Sequence, residues 1–421
     1  MELIEPRFFC WLVAPLLFSV LFGSENANGQ ESIRPSLAGS LSAESRLPMI
    51  DTGQYNIKLG PALLSMSALL DLEYNDNIAL SETDRKSDLI VEPLLNTNVL
   101  WQVSEYNAIR LNLGLGYVKY LNNPRFDSSS ASITPDSQLA FDIYVGDFRF
   151  TIFDQLSIQQ NPVTEINLSN VARFERLQNA AGLSVTWDLN KVVLFGGYTH
   201  YNFYSFDSQF DFLNQTEEQF FFSSSLKLSD SLTVGVRSTL GIVNYSENFQ
   251  NDSSDYSAGA FVETQLTRYL SLSAEGGYQG AHFDGGGFDV DTSQLNIPYV
   301  RLQLDHRLNR YWTEHLVAGY GAQLGFTTNY TALAYVHYDA NWRMNLRTNL
   351  NFDAFYENGA DSPGTVQVEH VNRVGGSISC TYAVGRKVTL NLGYQIIDRN
   401  SDLAGHSYYQ NCVILGLGYV F

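Results

Sequence analysis

Residues 343–356 read Arg-Met-Asn-Leu-Arg-Thr-Asn-Leu-Asn-Phe-Asp-Ala-Phe-Tyr, and the two parities of this stretch differ in kind. One parity holds Met344, Leu346, Thr348, Leu350, Phe352, Ala354 and Tyr356; the other holds Arg343, Asn345, Arg347, Asn349, Asn351 and Asp353. Successive side chains of a strand point to opposite faces, so this is a strand with one apolar and one polar face. A soluble sandwich alternates in the same way, with its polar face toward bulk water and its apolar face toward a second sheet. Here the alternation runs from about Leu63 to the last residue, and no segment is apolar enough to be a central core strand. A sheet closed on itself, with lipid outside and water inside, accounts for that. It also leaves no backbone edge facing lipid.

Neighbouring segments repeat the pattern. Val388, Leu390, Leu392, Tyr394 and Ile396 oppose Thr389, Asn391, Gly393 and Gln395, and Ile109, Leu111, Leu113, Leu115 and Tyr117 oppose Arg110, Asn112, Gly114 and Gly116. Leu316, Ala318, Tyr320, Ala322, Leu324 and Phe326 oppose His315, Gly319, Gly321 and Gln323. Short turns are expected near Gly146-Asp147, Asp188-Leu189-Asn190, Ser229-Asp230-Ser231, Leu308-Asn309-Arg310, Ala340-Asn341-Trp342 and Val384-Gly385-Arg386. Longer polar loops fall at about 75–87, 122–135, 160–172, 205–215, 247–253, 284–291, 357–364 and 399–407, with a very short connection at Thr327-Thr328-Asn329. The expected architecture is therefore an all-β transmembrane antiparallel up-and-down β-barrel of about 18 strands, with 16 as the alternative. An even count places both ends in the periplasm. None of these loops exceeds about 14 residues, so none is expected to fold inward and narrow the lumen.

Composition agrees. Charged residues are 16% and aromatic residues 13% of 421, against roughly 25% charged in an average soluble domain. Residues 1–29 read as a signal peptide: Arg7 precedes an apolar run from Phe8 to Phe22, too short to cross a bilayer, and Ala27 and Gly29 stand before a cleavage at Gln30. Residues 30–54, rich in Ser, Pro, Gly and Ala, read as a periplasmic tail or partial plug, and 55–421 as the barrel. The formal charge of -19 argues against nucleic acid as a partner and suits an outer surface facing outer-membrane lipid and lipopolysaccharide bridged by divalent cations. Cys10 lies in the apolar run without a lipobox, and Cys380 and Cys412 have one strand between them, so they are expected as unpaired thiols, buried or facing the lumen. Gly-Tyr recurs at 116–117, 197–198, 277–278, 319–320, 393–394 and 418–419, which suggests a glycine beside which a neighbouring aromatic lies flat.

The polar parity supplies the lumen and constriction candidates: Arg110, Asp142, Arg149, Arg237, Glu263, Glu275, Arg301, Asp305, Arg343, Arg347 and Asp353. Rows of arginine and carboxylate facing each other across a pore would tune ion preference. The bland alternative is that they pair within the wall and keep it wet. Tyr120, Phe221, Phe261 and Phe355 also fall on the inward parity, where a dedicated polysaccharide-export barrel would need sugar-stacking rungs. The seven histidines are scattered without H-E-x-x-H spacing, and no G-x-S-x-G stands near a suitable His and acid. Gly285-Gly286-Gly287 lies between strands rather than before a helix, so it is no phosphate cradle. No catalytic, cofactor or metal site is expected.

Two resemblances sharpen this. Val413, Leu415, Leu417, Tyr419 and Phe421 share one parity and end the chain on an aromatic, which resembles the C-terminal signature that the barrel-assembly machinery recognises in outer-membrane proteins. Leu59-Gly60-Pro61, Tyr74-Asn75-Asp76-Asn77-Ile78 and Asp88-Leu89-Ile90-Val91-Glu92-Pro93 resemble the opening of the putative beta-barrel porin 2 family. That resemblance implies a porin-like channel for small hydrophilic solutes in the bacterial outer membrane, with no catalytic residues to carry over. A dedicated export barrel, a structural surface barrel or a barrel enzyme are the competing readings, and a homo-oligomer is left open. Asn75-Asp76-Asn77 reads as a turn cluster, with a cation site as the alternative.

Overall fold

In a computed structural model, residues 55–287, 291–364 and 367–421 are described; the expected signal peptide and tail (1–54) lie outside them. Eighteen long strands follow one another. They are Ala62–Asn75 (β1), Asp88–Gln102 (β2), Ala108–Gly116 (β3), Gln138–Val145 (β4), Phe148–Gln159 (β5), Arg176–Asp188 (β6), Val192–Ser205 (β7), Gln215–Ser229 (β8) and Leu232–Tyr245 (β9). Then come Ser253–Thr267 (β10), Leu270–Phe283 (β11), Leu295–Asn309 (β12), Trp312–Leu324 (β13), Tyr330–Arg343 (β14), Thr348–Asp361 (β15), His370–Ala383 (β16), Val388–Ser401 (β17) and Tyr408–Val420 (β18). Each pairs antiparallel with the next, and β1 pairs with β18 from Ser67↔Val420 to Asn75↔Cys412, closing the barrel.

The faces sort as the alternation requires. On β18, Val413, Leu415, Leu417, Tyr419 and Phe421 are exposed on the outside, while Gln410 and Cys412 are buried on the inside. All four tryptophans among the described residues (Trp101, Trp187, Trp312 and Trp342) stand where strands meet the short turns. At the other end a row of outward tyrosines donates to polar groups of adjacent strands: Tyr356 to Asn372 at 2.9 Å, Tyr394 to Asn411 at 2.6 Å, Tyr278 to the Asn296 carbonyl at 3.2 Å, and Tyr198 to Glu218. Leu350, level with Trp342, lies six residues from Tyr356, or about 20 Å of strand. These are the two aromatic girdles that bracket the apolar band of a membrane barrel.

The seam is latched at both ends. At the long-loop end, the Asp76 carboxylate accepts from Asn411 N and Nδ2 at 2.7 and 2.6 Å, and Asn77, fully buried, donates to Ser81 O and Tyr409 O. The Asn75-Asp76-Asn77 cluster is thus a clip between the first loop and the last strand. At the short-turn end, Phe421 N donates to Met66 O at 3.1 Å and Asn56 Nδ2 donates to Phe421 O.

Inside, rings lie on glycines of the next strand. A side chain at Gly197 would meet Phe221, one at Gly235 would meet Phe261, one at Gly319 would meet Tyr335, and one at Gly375 would meet Phe355. Two of these glycines, Gly197 and Gly319, belong to the Gly-Tyr series, whose tyrosines face outward. This packing also disposes of the sugar-rung idea for Phe221, Phe261 and Phe355. Phe221 stacks on Phe195, and Phe261 and Phe355 lie under the guanidinium groups of Arg237 and Arg373, so their faces are covered by the wall. Tyr120, likewise buried, packs edge-on against Phe126.

Several expectations are corrected. The turn expected at Ala340-Asn341-Trp342 lies instead at residues 344–347. Trp342 pairs with Trp312 in the ladder, their rings 5.3 Å apart, while the Asn345 side chain accepts from Arg347 N and Thr348 N and closes the turn. Met344, Leu346 and Arg347 therefore leave the strand. Cys380 and Cys412 are both free thiols, but only Cys412 faces inward; Cys380 shares the outward parity of Ile378 and Tyr382. The loops over 117–137 and 160–175 are longer than the sequence suggests.

Candidate functional site

Loop 160–175 crosses the lumen. It leaves β5 and returns to β6, yet it is held by β14, β16 and β17 on the opposite wall. Arg373 Nη1 donates to Val163 O at 2.5 Å, Arg399 Nε donates to Ile166 O at 2.8 Å, and Asn167 Nδ2 donates to Thr331 Oγ1 at 2.8 Å. Both arginines are fixed by carboxylates of the same wall: Arg373 Nε donates to Glu357 at 2.6 Å, and Arg399 Nη2 to Glu369 at 2.8 Å. Arg399 also donates to His406 O, and it is fully buried.

The loop's own sequence prepares the crossing. Asn161 accepts from Val163 N and opens a single 3-10 turn, Pro162–Thr164. Ile166, Leu168 and Phe174 are buried, and Phe174 packs against Phe203, Phe210 and Phe326. At the root, Arg173 pairs with Asp207, and Glu175 accepts from the backbone and hydroxyls of Ser129 and Ser130. The absence of an inward loop, expected from the sequence, is thus overturned.

A cavity of about 250 Å³ lies beside the loop. Asp71, Glu73 and Glu92 line it from β1 and β2, Val163 from the loop, and His337 and Arg373 from the far wall. Asp71 and Glu92 face each other across the ladder, and Asn75 donates to Glu73 at 3.0 Å. The chamber is acidic on one side, with a histidine and a loop-bound arginine on the other.

At the long-loop end several loops are tied to one another at Asp291, which is 2% exposed. Its carboxylate accepts from Ser293 N at 2.9 Å, Asn329 N at 2.8 Å and the hydroxyls of Ser293 and Ser362, and its carbonyl accepts from Asn251. Burial works against its charge, but these hydrogen bonds prevail and hold the carboxyl below its ordinary range.

The charges foreseen on the polar parity mostly pair within the wall. Arg110 and Arg149 both meet Asp142, at 2.7 and 2.9 Å. Arg237 pairs with Glu275, which also accepts from Tyr299 at 2.9 Å, and Arg301 stands opposite Glu275 in register. Asp305 meets His315 at 2.6 Å, and Asp353 faces Asp339 across the ladder. Glu263 points inward in the short-turn half of β10; Arg343 ends β14, and Arg347 lies in the turn rather than on a lumen-facing strand. The bonds that hold the crossing loop come from other residues. Arg373 and Arg399, which hold the loop, and Glu357 and Glu369, which fix those arginines, were not singled out from the sequence, nor were Asp71, Glu73 and Glu92. Asp71 and Glu73 carried a legible signal, since they alternate with Leu70, Leu72 and Tyr74. No grouping of three or more His, Cys, Asp or Glu side chains among the described residues is arranged to hold a metal ion.

A closed 18-strand antiparallel barrel with aromatic girdles, short turns at one end and a loop folded into its lumen is the architecture of an outer-membrane channel. The chain belongs to the family described as Putative beta-barrel porin 2, which matches residues 53–420, and it is an outer-membrane porin-like protein of the bacterial envelope. Among solved structures it is similar to OccK2 (OpdF) of Pseudomonas aeruginosa in complex with glucuronate, at 11% identity, covering 86% of this chain and 99% of that one with a TM-score of 0.52. A BenF-like porin from Pseudomonas fluorescens Pf-5 matches at 10% identity, covering 86% and 100%, with a TM-score of 0.52. Pseudomonas aeruginosa OpdQ matches at 13% identity, covering 86% and 98%, with a TM-score of 0.50. At these identities the likeness is one of fold. Comparison with curated protein sequences finds no match.

Proposed function

We propose that this porin is a narrow, filtering channel for small hydrophilic solutes, with its constriction set by loop 160–175 and a preference for cations over anions. The observation that carries this reading is the crossing itself, fastened by Arg373 to Val163 O and by Arg399 to Ile166 O. A barrel of 18 strands is wide enough for an aqueous channel, so a loop across it decides what passes. The cation preference comes from Asp71, Glu73 and Glu92 beside that loop. OccK2 is described with glucuronate bound; the solute class read here shares its size and polarity but carries the opposite charge.

The barrel acts as a conduit rather than as an enzyme, in keeping with a porin family and porin-like neighbours. Residues 1–29 serve export, Phe421 and the outward parity of β18 serve recognition by the assembly machinery, and the girdled band meets outer-membrane lipid and lipopolysaccharide. Single-channel recording of the purified folded barrel tests the reading. Small, cation-selective steps are expected in potassium chloride; a folded barrel that gives no conductance in bilayers and no swelling in liposomes would remove the channel function altogether.

A further inference from the structure

Thr199, Gln219, Gly241 and Asp255 form one rung across β7–β10, with Thr199 opposite Gln219, Gln219 opposite Gly241, and Gly241 opposite Asp255. All four are on the inward parity, yet the three with side chains are only 1%, 3% and 7% exposed. Gly241 leaves open the space into which Asp255 reaches: a Cβ there would lie 2.3 Å from Asp255 Oδ2. The carboxylate thereby lies over Gly241, the position that stands between Asp255 and Gln219 on the rung. One step up β8, Glu217 is 2% exposed, and its Oε1 accepts from Gln219 Nε2 at 3.3 Å. That bond engages the donor side of the amide and turns its oxygen away. Asp255 Oδ2, Gln219 Oε1 and Thr199 Oγ1 then remain as buried oxygens with no hydrogen-bond partner in the protein.

Unsatisfied buried acceptors are costly, and proteins rarely keep several together without something to offset them. The ligand chemistry here is oxygen only: a carboxylate, an amide carbonyl and a hydroxyl, with a second carboxylate alongside. Such donors suit a hard cation, and two carboxylates suit a divalent one. Calcium accepts irregular sets of carboxylate, carbonyl and water oxygens, whereas magnesium demands near-octahedral geometry. We propose that this rung is a calcium site, with Asp255 and Gln219 as its central ligands, Thr199 and Glu217 beside them, and water completing the shell. It lies on β7–β10, apart from the constriction chamber lined by β1, β2 and β16, so its occupancy is independent of which solute the channel passes.

The test is to refold the full chain from urea with calcium chloride or with EDTA, desalt it, and measure bound calcium by elemental mass spectrometry together with the melting temperature. About one calcium per chain is expected, with a higher Tm than in EDTA. Asp255→Asn, which keeps the side-chain volume, is expected to lose both the bound calcium and the Tm difference. Asp71→Asn combined with Glu92→Gln is expected to keep both, which separates this site from acidic groups elsewhere. Should Asp255→Asn fail to refold, Thr199→Val serves in its place, with calcium binding expected to weaken about tenfold. No calcium on the refolded wild type, or undiminished calcium on the rung variants, would overturn the proposal.

Discussion

The two halves of the barrel use the same side chains differently. Near the short turns, Arg110 and Arg149 share Asp142, and all three belong to adjacent strands. Near the long loops, Arg373 and Arg399 also pair with carboxylates of their own wall, Glu357 and Glu369, but each keeps a donor for a loop carbonyl. A planar guanidinium with five donors allows this: one edge meets the carboxylate and another reaches elsewhere. The lower pairs satisfy the wall. The upper pairs turn the wall into an anchor for something that crosses the pore. What separates them is whether a loop carbonyl lies within reach, and charge alone does not reveal that.

The strongest way to break the contrast is to remove the upper anchors. Arg399→Ala leaves Glu369 and Ile166 O without their buried donor, and truncating one member of a buried pair costs about 3–5 kcal/mol. With Arg373→Ala as well, loop 160–175 loses both arginine tethers and keeps the bonds of Asn167 to Thr331 and of Asn170 to Gly405 O and Leu80 O. The double variant is expected to fold as a barrel, since no ladder bond involves either guanidinium, and to conduct several times more current than the wild type in single-channel recordings. Unchanged conductance would mean that the loop does not set the aperture.

Asp291 gives the next effect. Its carboxyl is held below the ordinary range, so its contribution to loop order is complete above the unfolded pKa, about 3.9, and is lost as pH falls through the lower folded value. Limited proteolysis at the long-loop end should be flat from neutral pH to about pH 5 and rise only in stronger acid. Asp291→Asn should produce the acid pattern at neutral pH, with loop opening easier by roughly 2 kcal/mol.

Which parts were legible follows from the length scale of each signal. Alternation is local, so the closed sheet, its strand number and the outward parity of β18 could be read from residues such as Leu415, Leu417 and Tyr419. The shift of the turn from Ala340–Trp342 to 344–347 could not, because Met344 and Leu346 continue the apolar parity without a break, and only the Trp312–Trp342 contact fixes the ladder. The crossing was hidden for a related reason. Loop 160–175 looks like any polar connection until Arg373 and Arg399, more than 200 positions away, are seen to hold its carbonyls. The foreseen charges were mostly those within regular alternation, and Arg110, Asp142, Arg149, Arg237, Glu275 and Asp305 pair with neighbours. The anchors stand near strand ends, where the alternation gives way to loops.

The acidic wall offers a gentler test of the upper half. Asp71→Asn with Glu92→Gln removes two carboxylates from the chamber while keeping its shape. In a water-filled space such charges act at high dielectric, where one contact is worth about 1 kcal/mol. The potassium-to-chloride permeability ratio, from reversal potentials across a salt gradient, is expected to fall about threefold with little change in conductance. A ratio that does not move would place the selective charges elsewhere.

The smallest effect belongs to the lower half. Arg149 is about one-third exposed, and Asp142 retains Arg110 and the Thr151 hydroxyl when it is gone. Arg149→Ala should therefore cost less than about 1 kcal/mol in urea unfolding, as part-exposed pairs do. It should leave conductance and selectivity at wild-type values. If it widened the channel as the anchor variants are expected to, the division between wall-satisfying and loop-holding pairs would fail, because a pair with no loop contact would then be controlling the aperture.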